Sequence, residues 1–398
     1  MRPRTRPVPD ARLPPAGRGR FLAVLVALQA VLGARVLLRL VRTAGGTRID
    51  PAPPGAVPTG AVAVVVPVLD ERDRLAPCLD GLVAQGPEVA EILVVDGGST
   101  DGTPELVAAH AARDSRIRLI DASPVPAGWN GKPWGLQVGL ETSRPTATWV
   151  LMVDADVRPA PALARSLAAH ARRTRVPALS AATLQTVSGP AEALLHPSLL
   201  TTLVYRFGIP GRATRRVAAV QANGQCFLAR RDLLVATGAI ARARDSRCED
   251  VTMARVLAAD GHEVGFYEAG DLVTARMYAT VGDAWRNWPR SLPMRDRYAG
   301  IGLPLGLAEV ALVQALPLPL LAALLLARRR GPAVAINAVL ACARLGVLVG
   351  TARAYRHRPW TYWLSPLGDL PVAARLCASA LRRRHVWRGR VLVTGGRP

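Results

Sequence analysis

The sequence predicts an α/β protein built on a mainly parallel sheet, with apolar helices at both ends of the chain. Three observations carry this. From Ala61 to about residue 300, short β-branched apolar runs alternate with helical stretches, the order that builds a parallel sheet covered on both faces. Acidic residues recur where those runs end, at Asp70, Asp96 and Asp154, and ligands bind beyond the carboxyl ends of strands in such sheets. Long hydrophobic stretches then bracket the region on either side, as expected for membrane helices around a soluble core.

In chain order, residues 1–20 are rich in Arg and Pro and read as a basic disordered tail. Residues 21–41 read as an N-terminal membrane helix. Its core, Phe21 to Leu40, is interrupted by Arg35 and Arg39, which a span tolerates if both side chains snorkel to one surface. No small-residue cleavage site follows, so a retained anchor is expected. Residues 42–60, with several Pro and Gly, read as a linker. Residues 61–300 then hold the α/β domain. Strands are expected at Ala61–Val66, Glu91–Val95, Arg116–Asp121, Thr148–Val153 and Val176–Ala182, with helices at Asp73–Gln85, Thr103–Ala112 and Pro161–Arg172. Thr103-Pro104 is the cap and first-turn signal for the second of these helices. Residues 301–382 read as membrane helices: Ile301–Ala327 with a single acid at Glu309, Pro332–Thr351 carrying Arg344, and a weaker segment, Pro359–Leu381, carrying Asp369 and Arg375. The last is either spanning or interfacial. Residues 383–398 form a basic tail.

The 398 residues carry 51 basic and 29 acidic side chains, a formal net charge of +22. Nucleic acid is one partner such an excess can serve. The arginines cluster beside the apolar runs instead, at Arg328–Arg330, Arg353–Arg358 and Arg382–Arg390, as membrane-surface contacts do. Nucleic-acid binding is therefore not expected. The five cysteines are scattered and include no CxxC pair, which points away from a disulfide framework or a zinc site. Among the 51 basic residues one, Lys132, is lysine; all others are arginine.

Seven segments carry candidate chemistry. Pro67-Val68-Leu69-Asp70-Glu71 and Asp96-Gly97-Gly98-Ser99-Thr100-Asp101-Gly102 close the first two strands. Carboxylates there accept hydrogen bonds from a base or ribose, and the glycines admit a ligand close to the backbone; an ordinary βα turn uses the same residues. Lys132 sits in Gly128-Trp129-Asn130-Gly131-Lys132-Pro133-Trp134-Gly135, read as a loop whose ammonium suits a point contact with a diphosphate. Asp154-Ala155-Asp156 follows an apolar strand. Residues two apart on a strand share a face, so the two carboxylates form a hard oxygen site for Mg2+ or Mn2+, which in turn would neutralise a diphosphate leaving group. Cys248-Glu249-Asp250 precedes a helix at Val251–Ala259. Asp250 is either a helix cap or a general base. Downstream, Arg276-Met277-Tyr278 and Trp285-Arg286-Asn287-Trp288 are candidates for acceptor or diphosphate contacts, with Arg276, Arg286 and Trp288 named for that role; aromatics at a membrane boundary are also commonly structural.

Taken in order, these elements, together with Gln221–Arg231 and Val386-Trp387-Arg388-Gly389-Arg390, resemble the membrane-bound family 2 glycosyltransferases of GT-A fold, in the branch that glycosylates carotenoids, hopanoids and ceramides. The resemblance covers residues 61–300 and, more loosely, the apolar segments. It implies inverting, metal-dependent transfer of a sugar, from a UDP-sugar first, to a membrane lipid, with a carotenoid-type acceptor ahead of the others. The alternatives are a polyprenyl-phosphate or polysaccharide glycosyltransferase, or an inactive GT-A membrane scaffold. The nucleotide-sugar would meet Pro67, Glu71, Asp96, Lys132 and Asp154, the metal Asp154 and Asp156, and catalysis would rest on Asp250 with Glu249. The catalytic domain would face the cytoplasm from the cell membrane, where nucleotide sugars are found. Two positions depart from the pattern: Asp70 stands where Asn is usual, and Trp285-Arg286-Asn287-Trp288 stands in place of a literal Q/RxxRW signature.

Overall fold

The computed structural model describes residues 15–276, 280–292, 294–381, 384–387 and 390–393. Helix α1 (Pro15–Thr43) leads into β1 (Val62–Val68), α2 (Arg72–Val83), β2 (Val89–Asp96), α3 (Thr103–Ala111), β3 (Ile117–Asp121), α4 (Gly131–Thr142) and β4 (Trp149–Val153). There follow β5 (Val157–Pro159), α5 (Leu163–Thr174), β6 (Ala178–Ala182), β7 (Leu184–Gln185), α6 (Pro190–Phe207), β8 (Arg212–Thr214), β9 (Cys226–Arg230) and α7 (Arg231–Thr237). Next come α8 (Glu249–Ala259), β10 (Val264–Glu268), β11 (Val273–Ala275) and α9 (Val281–Ser291). The C-terminal part holds α10 (Gly302–Glu309), α11 (Pro317–Leu326), α12 (Pro332–Thr351), α13 (Asp369–Leu381) and a hairpin of β12 (Arg384–Trp387) and β13 (Arg390–Val393).

Eight strands form one sheet in the order β3-β2-β1-β4-β9-β6-β10-β8. The β3-β2-β1-β4 half is parallel throughout, whereas β9 runs antiparallel to both β4 and β6. The β-branched run of β1 alternates between two cores. Val62, Val64 and Val66 face Leu75, Leu79 and Leu167 on one side, while Val65 faces Leu136, Leu140 and the buried side of α8 on the other. Burial on both faces explains why the strand is uniformly apolar rather than alternating. Helix α4 lies unusually close to β1, because a Cβ at Gly139 would run into Val65 and one at Gly135 would stand 3.1 Å from Pro67 Cβ.

Four expectations need correction. The segment read as a linker is pinned to the sheet edge: Ile49 is buried, and its N–H donates to the Glu268 carbonyl at 2.9 Å. Arg35 and Arg39 do not snorkel. They turn inward to the buried Glu309 carboxylate, at 2.7 Å from Arg35 Nε and 2.8 Å from Arg39 Nη1. The stretch from Ile301 to Ala327 is not one straight helix but a pair bent by 41°, with a π-helical turn at Val310–Ala315 followed by Pro317, a usual cause of such a break. The helix also begins at Pro15, inside the segment expected to be a disordered tail; residues 1–14 of that tail, and parts of the C-terminal one, lie outside the described residues.

Among the described residues, two helical stretches, Gly19–Thr43 and Pro332–Ala354, are long and apolar enough to cross a membrane, and the bent pair makes a third if it is one span. The weaker third segment resolves into a 3-10 stretch, Trp360–Gly368, and the 13-residue α13. At 1.5 Å per residue α13 reaches only about 20 Å, short of a span, while Trp360, Leu367 and Leu370 stay exposed. That is the form of an interfacial element. The polar residues inside these apolar helices answer one another. Arg344 and Asp369, both 1% exposed, pair at 2.7 Å, and Gln29 Nε2 donates to Asn337 Oδ1 at 3.0 Å. Removing one partner of a buried ion pair strands the other. Asp369→Asn should therefore lower stability by about 3–5 kcal/mol, with the double variant Arg344→Met/Asp369→Leu recovering most of the loss, as measured by thermal unfolding in detergent.

Candidate active site

The carboxyl ends of β1, β2 and β4 open into one cavity of ≈ 1300 Å3, and the site assembles at its floor. Lys132 is in the first turn of α4, not in a loop as the sequence reading had it. A cation at a helix N-terminus opposes the macrodipole, so its position there needs compensation. It has it: Lys132 Nζ lies 2.7 Å from Asp154 Oδ1 and 2.6 Å from Glu249 Oε1. Burial would lower its pKa, but Asp154, Glu249 and Asp250 together hold the ammonium well above its ordinary range.

Asp154 and Asp156 do not share a strand face. Strand β4 stops at Val153, and the two residues flank Ala155 in the turn before β5. Both line the cavity nonetheless. Burial and the Asp154 charge push Asp156 up to about 7. Burial raises Asp154 too, against the opposing pull of Lys132. Asp156 Oδ1 is buried with no hydrogen-bond partner.

Glu249 and Asp250 occupy the first turn of α8 rather than preceding it, a position that favours anions. Burial, then the neighbouring Glu249 charge, push Asp250 up to about 7. Gly224 closes the cluster. A Cβ there would stand 2.8 Å from Lys132 Nζ and 3.4 Å from Asp250 Oδ2 and Glu249 Oε1, so the absence of a side chain makes room for all three.

Of the remaining sequence candidates, Pro67 and Glu71 line the cavity, with Glu71 paired to Arg74 at 2.7 Å. Asp96 does not line it. Its oxygens accept from the Ser99 N–H at 3.0 and 3.2 Å and hold the turn, while Gly97 and Asp101 reach the wall instead. Trp288 lines the cavity and stacks on His196 with ring centroids 4.1 Å apart. Arg276 and Arg286 stand outside it: Arg276 is exposed, and Arg286 pairs with Asp283 at 2.8 Å on the surface of α9. Met277 and Tyr278 lie outside the described residues. Sequence reasoning missed Arg74, whose charge acts on both Asp154 and Asp156, and Gln225, whose Oε1 accepts from Thr183 Oγ1 at 2.6 Å. Arg74 stands in no recognisable pattern, and Gln225 lies within Gln221–Arg231, a stretch named for its resemblance but not for this residue; the fold brings both into the cavity.

Residues 63–234 match the family model described as Glycosyl transferase family 2. That stretch is similar to the family 2 glycosyltransferases. Among characterised proteins, the domain is similar to a dolichyl-phosphate beta-glucosyltransferase of Trichomonas vaginalis, 39% identical over 100 residues, 23% of this chain and 28% of that protein. It is also similar to glycosyltransferase GlyG of Streptococcus pneumoniae, 27% identical over 95 residues, 24% of this chain and 30% of that protein. The matches thus span under a third of either relative. In three dimensions the chain is similar to the mannosyltransferase PcManGT of Pyrobaculum calidifontis, solved in complex with GDP-Man and Mn2+, with a TM-score of 0.53 and 23% identity over 89% of this chain and 97% of that one. The fold is GT-A.

Gly224→Ala tests the crowding around Lys132. The added methyl must displace the ammonium from Asp154 or Glu249. UDP or GDP binding, followed by fluorescence titration, should weaken by about tenfold, the scale of one charge-assisted hydrogen bond, while the thermal midpoint stays within about 4 °C.

Proposed function

We propose that this chain is a membrane-anchored glycosyltransferase that moves a sugar from a nucleotide-diphosphate donor to a lipid acceptor, with inversion at the anomeric carbon. One observation carries the lipid part. The cavity that holds Asp154, Asp156 and Asp250 continues without a break to Leu37 and Val41 of α1 and to Gly346, Val347 and Gly350 of α12, both candidate membrane spans. An acceptor with an apolar chain can then lie between the helices while its hydroxyl reaches the carboxylates. The carotenoid-type acceptor implied by the resemblance is one member of that class. In the same reading residues 61–300 are the catalytic domain, facing the cytoplasm where the donor is, and 301–382 hold it on the membrane.

The donor set fits a divalent cation: two half-buried carboxylates, one with an orphaned oxygen, are hard ligands held close together. Bound there, Mg2+ or Mn2+ would neutralise charge on the departing diphosphate. The chain's own residues do the rest. Lys132, fixed between Asp154 and Glu249, brings a second positive charge to the diphosphate side of the cluster. Pro67, Gly97 and Asp101 line the wall for the nucleoside. Asp250 takes the proton from the attacking hydroxyl, and its elevated pKa makes it a stronger base than an exposed carboxylate.

Protonated Asp250 cannot accept a proton, so activity should rise with pH. In the free enzyme kcat/KM should fall about tenfold per pH unit on the acid side of about 7, read as donor-dependent release of nucleoside diphosphate. Asp250→Asn should cost about 10²–10⁴ in kcat and leave nucleotide binding intact. Gly350 has nothing within 4 Å of a built Cβ, so Gly350→Leu adds bulk to the seam without a clash. It should depress kcat/KM for a lipid acceptor while donor affinity and the thermal midpoint hold. Equal turnover in Gly350→Leu and wild type would count against entry between α1 and α12.

A further inference from the structure

Five basic side chains line the cavity: Arg48, Arg74, Lys132, Arg247 and Arg353. Four of them have carboxylate partners. Arg48 and Arg353 share Glu268, Arg74 holds Glu71, and Lys132 bridges Asp154 and Glu249. Among the described residues Arg247 has none. It stands in the turn Ser246-Arg247-Cys248 that leads into α8, and it shares the cavity with Asn287 and Trp288 of α9.

The guanidinium is not merely unpaired. Its Nε and Nη2 atoms are buried and make no hydrogen bond. These two nitrogens lie on one edge of the group, the edge that grips both oxygens of a carboxylate or phosphate. Two neighbouring groups act on it: the Cys248 thiol, which burial pushes up and so leaves uncharged, and another cation, Arg295, whose own Nη1 is engaged by the Ala380 carbonyl at 3.1 Å. A buried charged donor edge without an acceptor is costly, and such groups are ordinarily satisfied by a bound ligand or ion when the protein does not satisfy them.

We propose that Arg247 receives an oxyanion carried by the lipid acceptor, so that the enzyme selects acceptors whose head group bears a phosphate or carboxylate as well as the attacking hydroxyl. This rests on the reading of the chain as a lipid glycosyltransferase and names the acceptor's chemistry. The donor's diphosphate has its own counter-charges at Asp154 and Asp156, through a cation, and at Lys132; the Arg247 oxyanion belongs to the second ligand. The transfer balances without it. The hydroxyl oxygen forms the new bond to the anomeric carbon, the bond to the diphosphate breaks and its electron pair leaves with the nucleoside diphosphate, and the hydroxyl proton goes to Asp250. The oxyanion on Arg247 stays unchanged and fixes the head group.

The test is binding to the full chain in phosphatidylcholine nanodiscs, with empty discs subtracted, using dodecyl phosphate, laurate and dodecanol as probes and UDP or GDP as the control ligand. Dodecyl phosphate or laurate should bind the wild type at least about tenfold tighter than dodecanol, the margin expected of a paired charged hydrogen bond. Preference for the phosphate or for the laurate assigns the oxyanion. Arg247→Gln should erase the margin with nucleotide affinity unchanged. Arg247→Lys, which keeps charge but loses the fork, should restore only part of it. Equal binding of dodecanol to the wild type overturns the proposal. So does a loss of nucleotide affinity in Arg247→Lys, which would assign the side chain to the donor. None of these readouts needs turnover, so an enzyme that transfers no sugar to lipid would still give a decision on Arg247.

Discussion

Four carboxylates and one ammonium share a volume in which none of them would be comfortable alone, and the cavity end of the molecule is arranged around that constraint. Lys132 ties the turn after β4 to the first turn of α8 through Asp154 and Glu249. Those segments are nearly a hundred positions apart in the chain, and Gly224, which faces Lys132, Asp250 and Glu249, leaves room for them to meet. The pairing of charges is incomplete: burial and neighbouring carboxylates push Asp156 and Asp250 each up to about 7. In the reading proposed above, the first would help hold a cation and the second would take a proton. A fully paired cluster would be more stable and would have neither property.

The same logic of internal pairing extends to the helices. Arg35 and Arg39 with Glu309, Arg344 with Asp369, and Gln29 with Asn337 join segments that are far apart in sequence. Such pairs are weak sources of net stability but strong sources of specificity, since a misplaced helix would bury an unpaired charge. They hold α1 and α12 in register beside the sheet, and that register leaves the small residues of α12 facing the cavity. The result is one continuous space with a charged floor and an apolar seam.

Much of the α/β domain was legible in the sequence because β-branched runs and cap signals are local. Helix α12 falls where hydropathy alone put it, and most of the strands fall within a few residues of their expected bounds. The failures share a physical cause. Arg35 and Arg39 looked like snorkelling residues because their partner, Glu309, is some 270 positions away. Asp96, read as a nucleotide contact, also accepts from Ser99 three residues later, a local hydrogen bond that the turn itself favours. Trp129 and Trp134, in the segment read as a loop around Lys132, pack on each other at 5.3 Å and steady the start of α4. The lone lysine was the most informative residue in the chain, because composition singled it out before any geometry did. Arg74, Gly224 and Arg247 carried no such mark, and only the fold shows what surrounds them.

The most direct measurement is the fate of the sugar. Membranes carrying the full chain would be supplied in turn with labelled UDP- and GDP-sugars, with and without Mn2+ or Mg2+, and the label partitioned between solvent-extractable lipid, insoluble polymer and water. A cavity that joins the carboxylate cluster to the seam between α1 and α12 predicts metal-dependent label in a discrete lipid. Label confined to insoluble polymer, or no lipid label from any donor when lipid acceptors are supplied, would contradict it.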